Sequence, residues 1–138
     1  MKKIFIVIIA SLGLLIPCSC KDLVLFVDCD KCFSEKPTVA VLNIKVTINA
    51  ENKNVPIIIY QGDIEESNII EQDTISYSNY QIGVSIGEYY SVLVRYQSKG
   101  RTIYAVDGKK PRTRIDNNSC DNQCYIILGD ELDARLKF

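Results

Sequence analysis

Apolar and polar positions alternate with a period of two through most of the chain from residue 38 onward, the pattern of strands with one buried face. Ala40, Leu42, Ile44, Val46 and Ile48 fall on one side of the first such run, and Asn43, Lys45, Thr47 and Asn49 on the other. A polar loop over residues 49–56 precedes Ile57-Ile58-Ile59-Tyr60, a continuous apolar run that predicts a central strand or one covered on both faces. Residues 63–73 are acidic and less regular, with an edge strand expected around Ile64 or Ile69-Ile70. Ile82, Val84 and Ile86 resume the alternation, as do Tyr90, Val92, Val94 and Tyr96.

The turns punctuate these runs. Ser98-Lys99-Gly100 predicts a tight hairpin into a strand over residues 102–106, and Asp107-Gly108 is a second two-residue hairpin signal before a strand across 112–115. After a polar loop at 116–123, Tyr125-Ile126-Ile127-Leu128 reads as a strand. Gly129-Asp130 then turns the chain into Leu132, Ala134, Leu136 and Phe138, which alternate with charged residues. Outside the first 20 residues no long stretch carries the stripe of an amphipathic helix. Seven to nine short strands with frequent turns predict an all-β fold, an antiparallel β-sandwich in preference to a barrel. The segment Gly87-Glu88-Tyr89-Tyr90-Ser91-Val92-Leu93-Val94 resembles the Gly-x-Tyr-x-Val-x-Val strand start of Ig-like and prealbumin-like sandwiches, such as carboxypeptidase regulatory-like domains. That likeness bears on architecture and not on activity.

The opening 20 residues follow a different rule. Lys2-Lys3, an apolar block from Ile4 to Ile16 and Pro17-Cys18-Ser19-Cys20 form a charged head, an apolar middle and a small residue before a cysteine. The block is shorter than the roughly 20 residues that a membrane-spanning helix needs. The arrangement resembles the signal of bacterial lipoproteins, which implies cleavage and lipidation at Cys20, with Cys18 the alternative. Two acyl chains anchor stably where one is marginal, so the membrane becomes an expected partner through an acylated N-terminal cysteine. The domains expected are a leader (1–20), an N-terminal segment with Cys-x-x-Cys (21–37) and a β-sandwich (38–138). Within the second, Leu23-Val24-Leu25-Phe26-Val27 is apolar where a polar tether is usual, so this piece is expected to pack on the domain or add an edge strand.

Composition adds constraints. Cleavage after Ser19 or nearby takes Lys2 and Lys3 from 16 basic residues and leaves 14 against 17 acidic, net −3. That is no nucleic-acid-binding balance, and nucleic acid is not expected as a partner. The chain has no histidine, so Ser-His-Asp and Cys-His devices are excluded.

Four further cysteines form two close pairs, Cys29/Cys32 and Cys120/Cys124. Export to an oxidising compartment favours structural disulfides, in any of three connectivities. A four-thiolate zinc site is the alternative, since two close pairs far apart in sequence are a recognised ligand arrangement. A thioredoxin-like pair at Cys29/Cys32 would need a following helix, and Pro37 and a strand come instead.

Other candidates are weaker. The carboxylate pairs Asp130/Glu131 and Glu65/Glu66 lie in turns or at a polar edge, where solvation is the ordinary role. Lys109-Lys110-Pro111-Arg112-Thr113-Arg114 could meet lipid phosphates or an acidic partner, but Lys and Pro also blunt exposed sheet edges. The Asn/Asp-rich stretch at 116–121 lacks the glycine and closing glutamate of a calcium loop. Asp73-Thr74-Ile75 resembles the acceptor for O-glycosylation in exported Bacteroidetes proteins, which would place a glycan on Thr74. Tyr77, Tyr80 and Tyr89 are the aromatic residues expected at a binding surface.

Taken whole, the leader, the early Cys-x-x-Cys, the Gly-Glu-Tyr-Tyr-Ser-Val strand, Ala105-Val106-Asp107-Gly108 and Cys124-Tyr125-Ile126-Ile127 resemble the small envelope lipoproteins of Bacteroidetes. The resemblance implies an outer-membrane address, on the periplasmic or the surface face, and carries no activity. The expectation is a non-enzymatic, lipid-anchored β-sandwich without a cofactor that binds protein or glycan. A zinc or thiol-redox protein and a structural subunit of a surface assembly are the alternatives.

Overall fold

The computed structural model describes residues 27–137. The leader, Cys18, Cys20, residues 21–26 and Phe138 lie outside the described residues.

Nine strands follow in order: β1 (Val39–Lys45), β2 (Val55–Gln61), β3 (Ile69–Ile75), β4 (Asn79–Ser85), β5 (Tyr90–Ser98), β6 (Arg101–Lys109), β7 (Arg112–Asp116), β8 (Cys124–Leu128) and β9 (Glu131–Asp133). They form a three-stranded sheet ordered β4-β1-β9, a four-stranded sheet ordered β3-β2-β5-β6, and the two-stranded ribbon β7-β8. The expected all-β sandwich is the observed fold. One ladder departs from the antiparallel rule: β9 runs parallel to β1, with Ile44 opposite Leu132. Short 3-10 turns at Cys29–Lys31 and Ile64–Glu66 are the helical elements among the described residues.

The period-two reading explains which face closes on which. Leu42 and Ile44 of β1, Ile57 and Ile59 of β2, Val92, Val94 and Tyr96 of β5, and Leu132 of β9 are all buried in one core. Each such aliphatic side chain contributes roughly 1.5–3 kcal/mol relative to exposure. Strand β2 is central, between β3 and β5, as its unbroken apolar run predicts. Ile58 points to the opposite face and is half-buried. The edge strand expected in the acidic stretch is β3, which among the described residues pairs with β2 alone.

The Ser98-Lys99-Gly100 hairpin forms as expected. Ser98 pairs with Arg101, and Lys99 and Gly100 both take positive φ (49° and 75°), the conformation of a two-residue turn matched to sheet twist. Asp107-Gly108 does not turn. Both residues lie inside β6, opposite Val92 and Ser91. The Asp107 carboxylate accepts from the N–H of Asp133 (2.7 Å) and of Gly108 (2.9 Å), tying β6 to β9 across the open side of the sandwich. Gly108 lies beneath the ring of Tyr89, whose Cζ would be 2.7 Å from a Cβ there. The glycine makes room for an aromatic ring, and no turn is required of it.

The direction change falls instead at Pro111, which is fully buried and whose carbonyl accepts from the Gly87 N–H (2.8 Å). The last strand is also shorter than its alternation suggests. Ala134 and Leu136 keep facing the core beyond β9: the Ala134 N–H still donates to the Lys45 carbonyl (3.0 Å), while the Leu136 N–H donates to the Thr47 hydroxyl (3.0 Å).

Candidate functional site

The cysteines converge at one end of the β7-β8 ribbon. Asp28 caps the 3-10 turn at Cys29–Lys31, its side chain accepting from the Asp30 N–H (3.2 Å). Phe33 and Tyr125 exchange both backbone hydrogen bonds (2.9 and 2.8 Å), so the N-terminal segment lies along the free edge of β8. In the loop before β8, Asp116 accepts from the N–H and the hydroxyl of Ser119 (2.8 and 3.1 Å) and sets the position of Cys120. Disulfides then join Cys29 to Cys120 and Cys32 to Cys124, with Cα–Cα separations of 5.8 and 5.5 Å. Both separations lie inside the range that a disulfide accepts. Cys29 and Cys32 are therefore not bonded to each other, as a thioredoxin-like pair would be. The Sγ atoms of Cys32, Cys120 and Cys124 all lie within 4.8 Å of one another.

Beside the disulfides runs an apolar groove of about 610 Å³. Its floor is the outer face of β1, its far wall Ile126–Leu128, and its near wall the segment from Val27 to Phe33. Val39 and Val41 are 58% and 51% exposed on that floor, although β1 is the central strand of its sheet. The next outward residues, Asn43 and Lys45, are polar, and Lys45 pairs with Glu131 at 2.8 Å. Asn43 also lines the groove, so its apolar floor gives way to a polar residue within the groove itself.

The three tyrosines do not form one surface. Tyr77 and Tyr80 stack with ring centroids 6.3 Å apart and planes 15° from parallel, at the turn from β3 to β4. Tyr80 is half-buried and packs on the core, so of this pair Tyr77 is the exposed ring. Burial raises the Tyr80 phenol pKa, and Glu71 and Asp73 add to it. Tyr89 lies beyond the other end of β4, about 20 Å away at the strand rise of roughly 3.3 Å per residue. It lines a polar cleft of about 440 Å³ with Asp63, Glu66, Asn68 and Lys110. Its phenol is also raised, by burial first and then by Asp63 and Asp107. The cleft exists because Gly62, at φ +92°, turns the chain out of β2, and its carbonyl accepts from the Ser91 hydroxyl (2.7 Å).

Thr74 is exposed on the edge strand β3, with its backbone N–H taken by the Asp73 carboxylate (2.7 Å). Glu65 and Glu66 lie on an exposed 3-10 turn. The backbone carbonyl of Asp130 accepts from the Asn43 N–H (2.7 Å), and the Glu131 carboxylate is engaged by Lys45. Of the basic run, Lys109 ends β6, Pro111 is core, and Arg112 and Arg114 belong to β7, which among the described residues pairs with β8 alone. Hydrogen bonds from Arg135 (2.7 and 2.9 Å) hold the Asp133 carboxyl well below the usual range.

Two features escape the linear reading. Tyr104, at 60% exposure the most open tyrosine of those on the surface, shares a shallow apolar depression of about 300 Å³ with Pro56, Ile58, Leu93 and Arg95 on the outer face of the four-stranded sheet. The alternation Ile103-Tyr104-Ala105 already assigns it outward, but its neighbours, Gln72 among them, come from three other strands. Asn52 is buried in the loop before β2. Its amide accepts from the N–H of Gln97 (2.8 Å) and donates to that residue's carbonyl (2.9 Å), replacing a missing strand partner at the end of β5. A loop asparagine ordinarily reads as turn chemistry, and nothing local marks this one.

No protein-family model, curated protein or solved structure matches the chain.

Proposed function

We propose that this protein is a lipid-anchored, non-enzymatic β-sandwich of the bacterial cell envelope, acylated at Cys20 (or Cys18), that serves as a binding or accessory module for protein or glycan. The observation that carries the reading is the pair of disulfides fastening the N-terminal segment to the last hairpin. Such bridges persist in oxidising compartments, which agrees with an export leader of lipoprotein type. With acylation at Cys20, only the eight residues 21–28 would separate the anchor from the first bridged cysteine, Cys29. The exposed aromatic residues Tyr77 and Tyr104 are the surfaces offered to a partner, with Tyr89 at the opposite end from Tyr77. Thr74, exposed beside Asp73, is accessible to a glycan.

Intact-mass measurement of the protein extracted from its native membranes tests the anchor, the bridges and any sugar together. The expected mass begins at an acylated cysteine and lacks four hydrogens relative to the reduced chain. A cytosolic protein with its leader uncut would overturn the reading. For the binding role, a glycan array and an envelope pull-down with the purified domain should yield a ligand whose capture weakens on Tyr77→Ala or Tyr104→Ala.

A zinc or thiol-redox reading rests on one observation, the convergence of the Cys32, Cys120 and Cys124 sulfurs within 4.8 Å. Once reduced, these atoms are near the spacing of thiolates around one zinc ion. Thiol titration with elemental analysis decides it: four free thiols with stoichiometric zinc would establish the metal, and oxidised sulfurs without zinc would remove it. A structural-subunit role predicts self-association on sizing chromatography.

A further inference from the structure

We infer that the apolar groove on the outer face of β1 is the seat of this chain's own Leu23-Val24-Leu25-Phe26, which would lie along β8 as an additional, N-terminal edge segment.

Three observations converge on that occupant. The groove is apolar where it should be polar: Val39 and Val41 stand outward from a central strand, with Ile126, Ile127 and Leu128 facing them. Its volume of about 610 Å³ is that of a cavity able to enclose a substantial apolar group. Val27, the first described residue, already lines it, and the sequence immediately before it is the apolar run Leu23-Val24-Leu25-Phe26. Four extended residues reach roughly 13 Å, enough to run the length of the Val39–Val41 floor without a linker.

The disulfides make this docking inexpensive in entropy. With Cys29 and Cys32 bonded to the β8 end of the molecule and Phe33 paired to Tyr125, the point from which residues 23–26 are tethered is fixed beside the groove. Ordering them therefore forfeits less freedom than recruiting a free peptide, the effective-concentration advantage of a tethered ligand. An apolar segment placed next to an apolar groove also removes both from water. If the mature chain starts at Cys20, docking of Leu23 leaves Lys21 and Asp22 as the whole tether. That consequence rests on the proposed lipidation, whereas the docking itself does not.

Hydrogen–deuterium exchange with mass readout, on the natively processed protein, tests the docking. The peptide covering residues 22–27 is expected to exchange at least tenfold more slowly than an unstructured chain. Val41→Asp, on the groove side, should abolish that protection while peptides from β2 and β5 keep theirs. If Val41→Asp loosens the whole sandwich, the milder Val39→Thr provides the same comparison. Exchange of residues 22–27 at the unstructured rate in the wild-type protein would overturn the inference, as would protection that persists in both groove variants. Neither outcome depends on the acyl group, so failure here and failure of the anchor reading are separately visible.

Discussion

The phenol of Tyr96 donates to the carbonyl of Ala134 at 2.8 Å from inside the core, while it accepts from the N–H of Thr47 at 2.9 Å. One buried hydroxyl thereby fastens β5 of the four-stranded sheet to the two chain segments that leave the three-stranded sheet. The Thr47 hydroxyl extends the tie by accepting from the Leu136 N–H at 3.0 Å. These bonds, together with that from the Ala134 N–H to the Lys45 carbonyl (3.0 Å), hold Ala134 and Leu136 inward past the end of β9.

Tyr96→Phe should therefore lower stability by about 1–3 kcal/mol, since it leaves the buried Ala134 carbonyl and the half-buried Thr47 N–H without their partner. A fall in the urea midpoint at unchanged slope is the readout. Burial raises the Tyr96 pKa above its ordinary value near 10. At alkaline pH the native state then holds a proton that the unfolded chain has lost, so stability declines as pH rises above about 10. The Phe variant should show less of that decline, measured by urea titrations between pH 9 and 11.

The two disulfides close nearly the same loop, with separations of 91 and 92 residues. With one in place, the other closes only the short ring through residues 29–32 and 120–124. In the chain-entropy model either bridge alone should cost roughly 2.5 kcal/mol to remove and both together about 7 kcal/mol. Cys→Ala pairs compared by denaturant titration check the non-additivity. Cys29 is exposed and Cys124 is buried, so partial reduction followed by alkylation should label the Cys29–Cys120 pair first.

Asn52→Ala removes the amide that satisfies both backbone groups of Gln97. The expected loss is about 2–3 kcal/mol, larger than for an ordinary loop asparagine. Exchange should quicken at the Gln97 amide before it does at Val92 or Val94. An Asn52→Ala protein as stable as the parent would contradict the role assigned to it.

Gly108→Ala places a methyl group where the Tyr89 ring lies. Because Tyr89 is on the surface, its ring can swing outward, and the change in stability should stay within about 1 kcal/mol. The readout is the Tyr89 titration. Its raised pKa comes first from burial, so release into water should bring it down toward 10. Tyrosinate absorbance or ring NMR shifts would follow this.

Strand existence and facing were legible from alternation alone. Leu42, Ile44, Val92, Val94 and Leu132 are core because period two makes one face of each strand apolar, whatever the partner. The Lys99-Gly100 turn was equally readable, since positive φ at two adjacent residues has a local chemical signature. Asp107-Gly108 carries much the same signature and misleads, because its carboxylate is engaged by Asp133 and its missing Cβ accommodates Tyr89. Both causes lie far away in sequence.

The same division holds for the candidate sites. Two close cysteine pairs foretold bridges or a metal, but spacing could not choose among three connectivities. The Phe33–Tyr125 pairing settles that, because it brings Cys29 to Cys120 and Cys32 to Cys124. Aromatic residues were visible in the sequence, and the strand between Tyr77 and Tyr89 already keeps them apart, yet only packing half-buries Tyr80 against the core. The groove on β1 has no linear trace at all: its walls come from residues almost 90 positions apart. Local rules act through neighbours along the chain and fix faces and turns, whereas burial, charge partners and cavities depend on which distant faces meet.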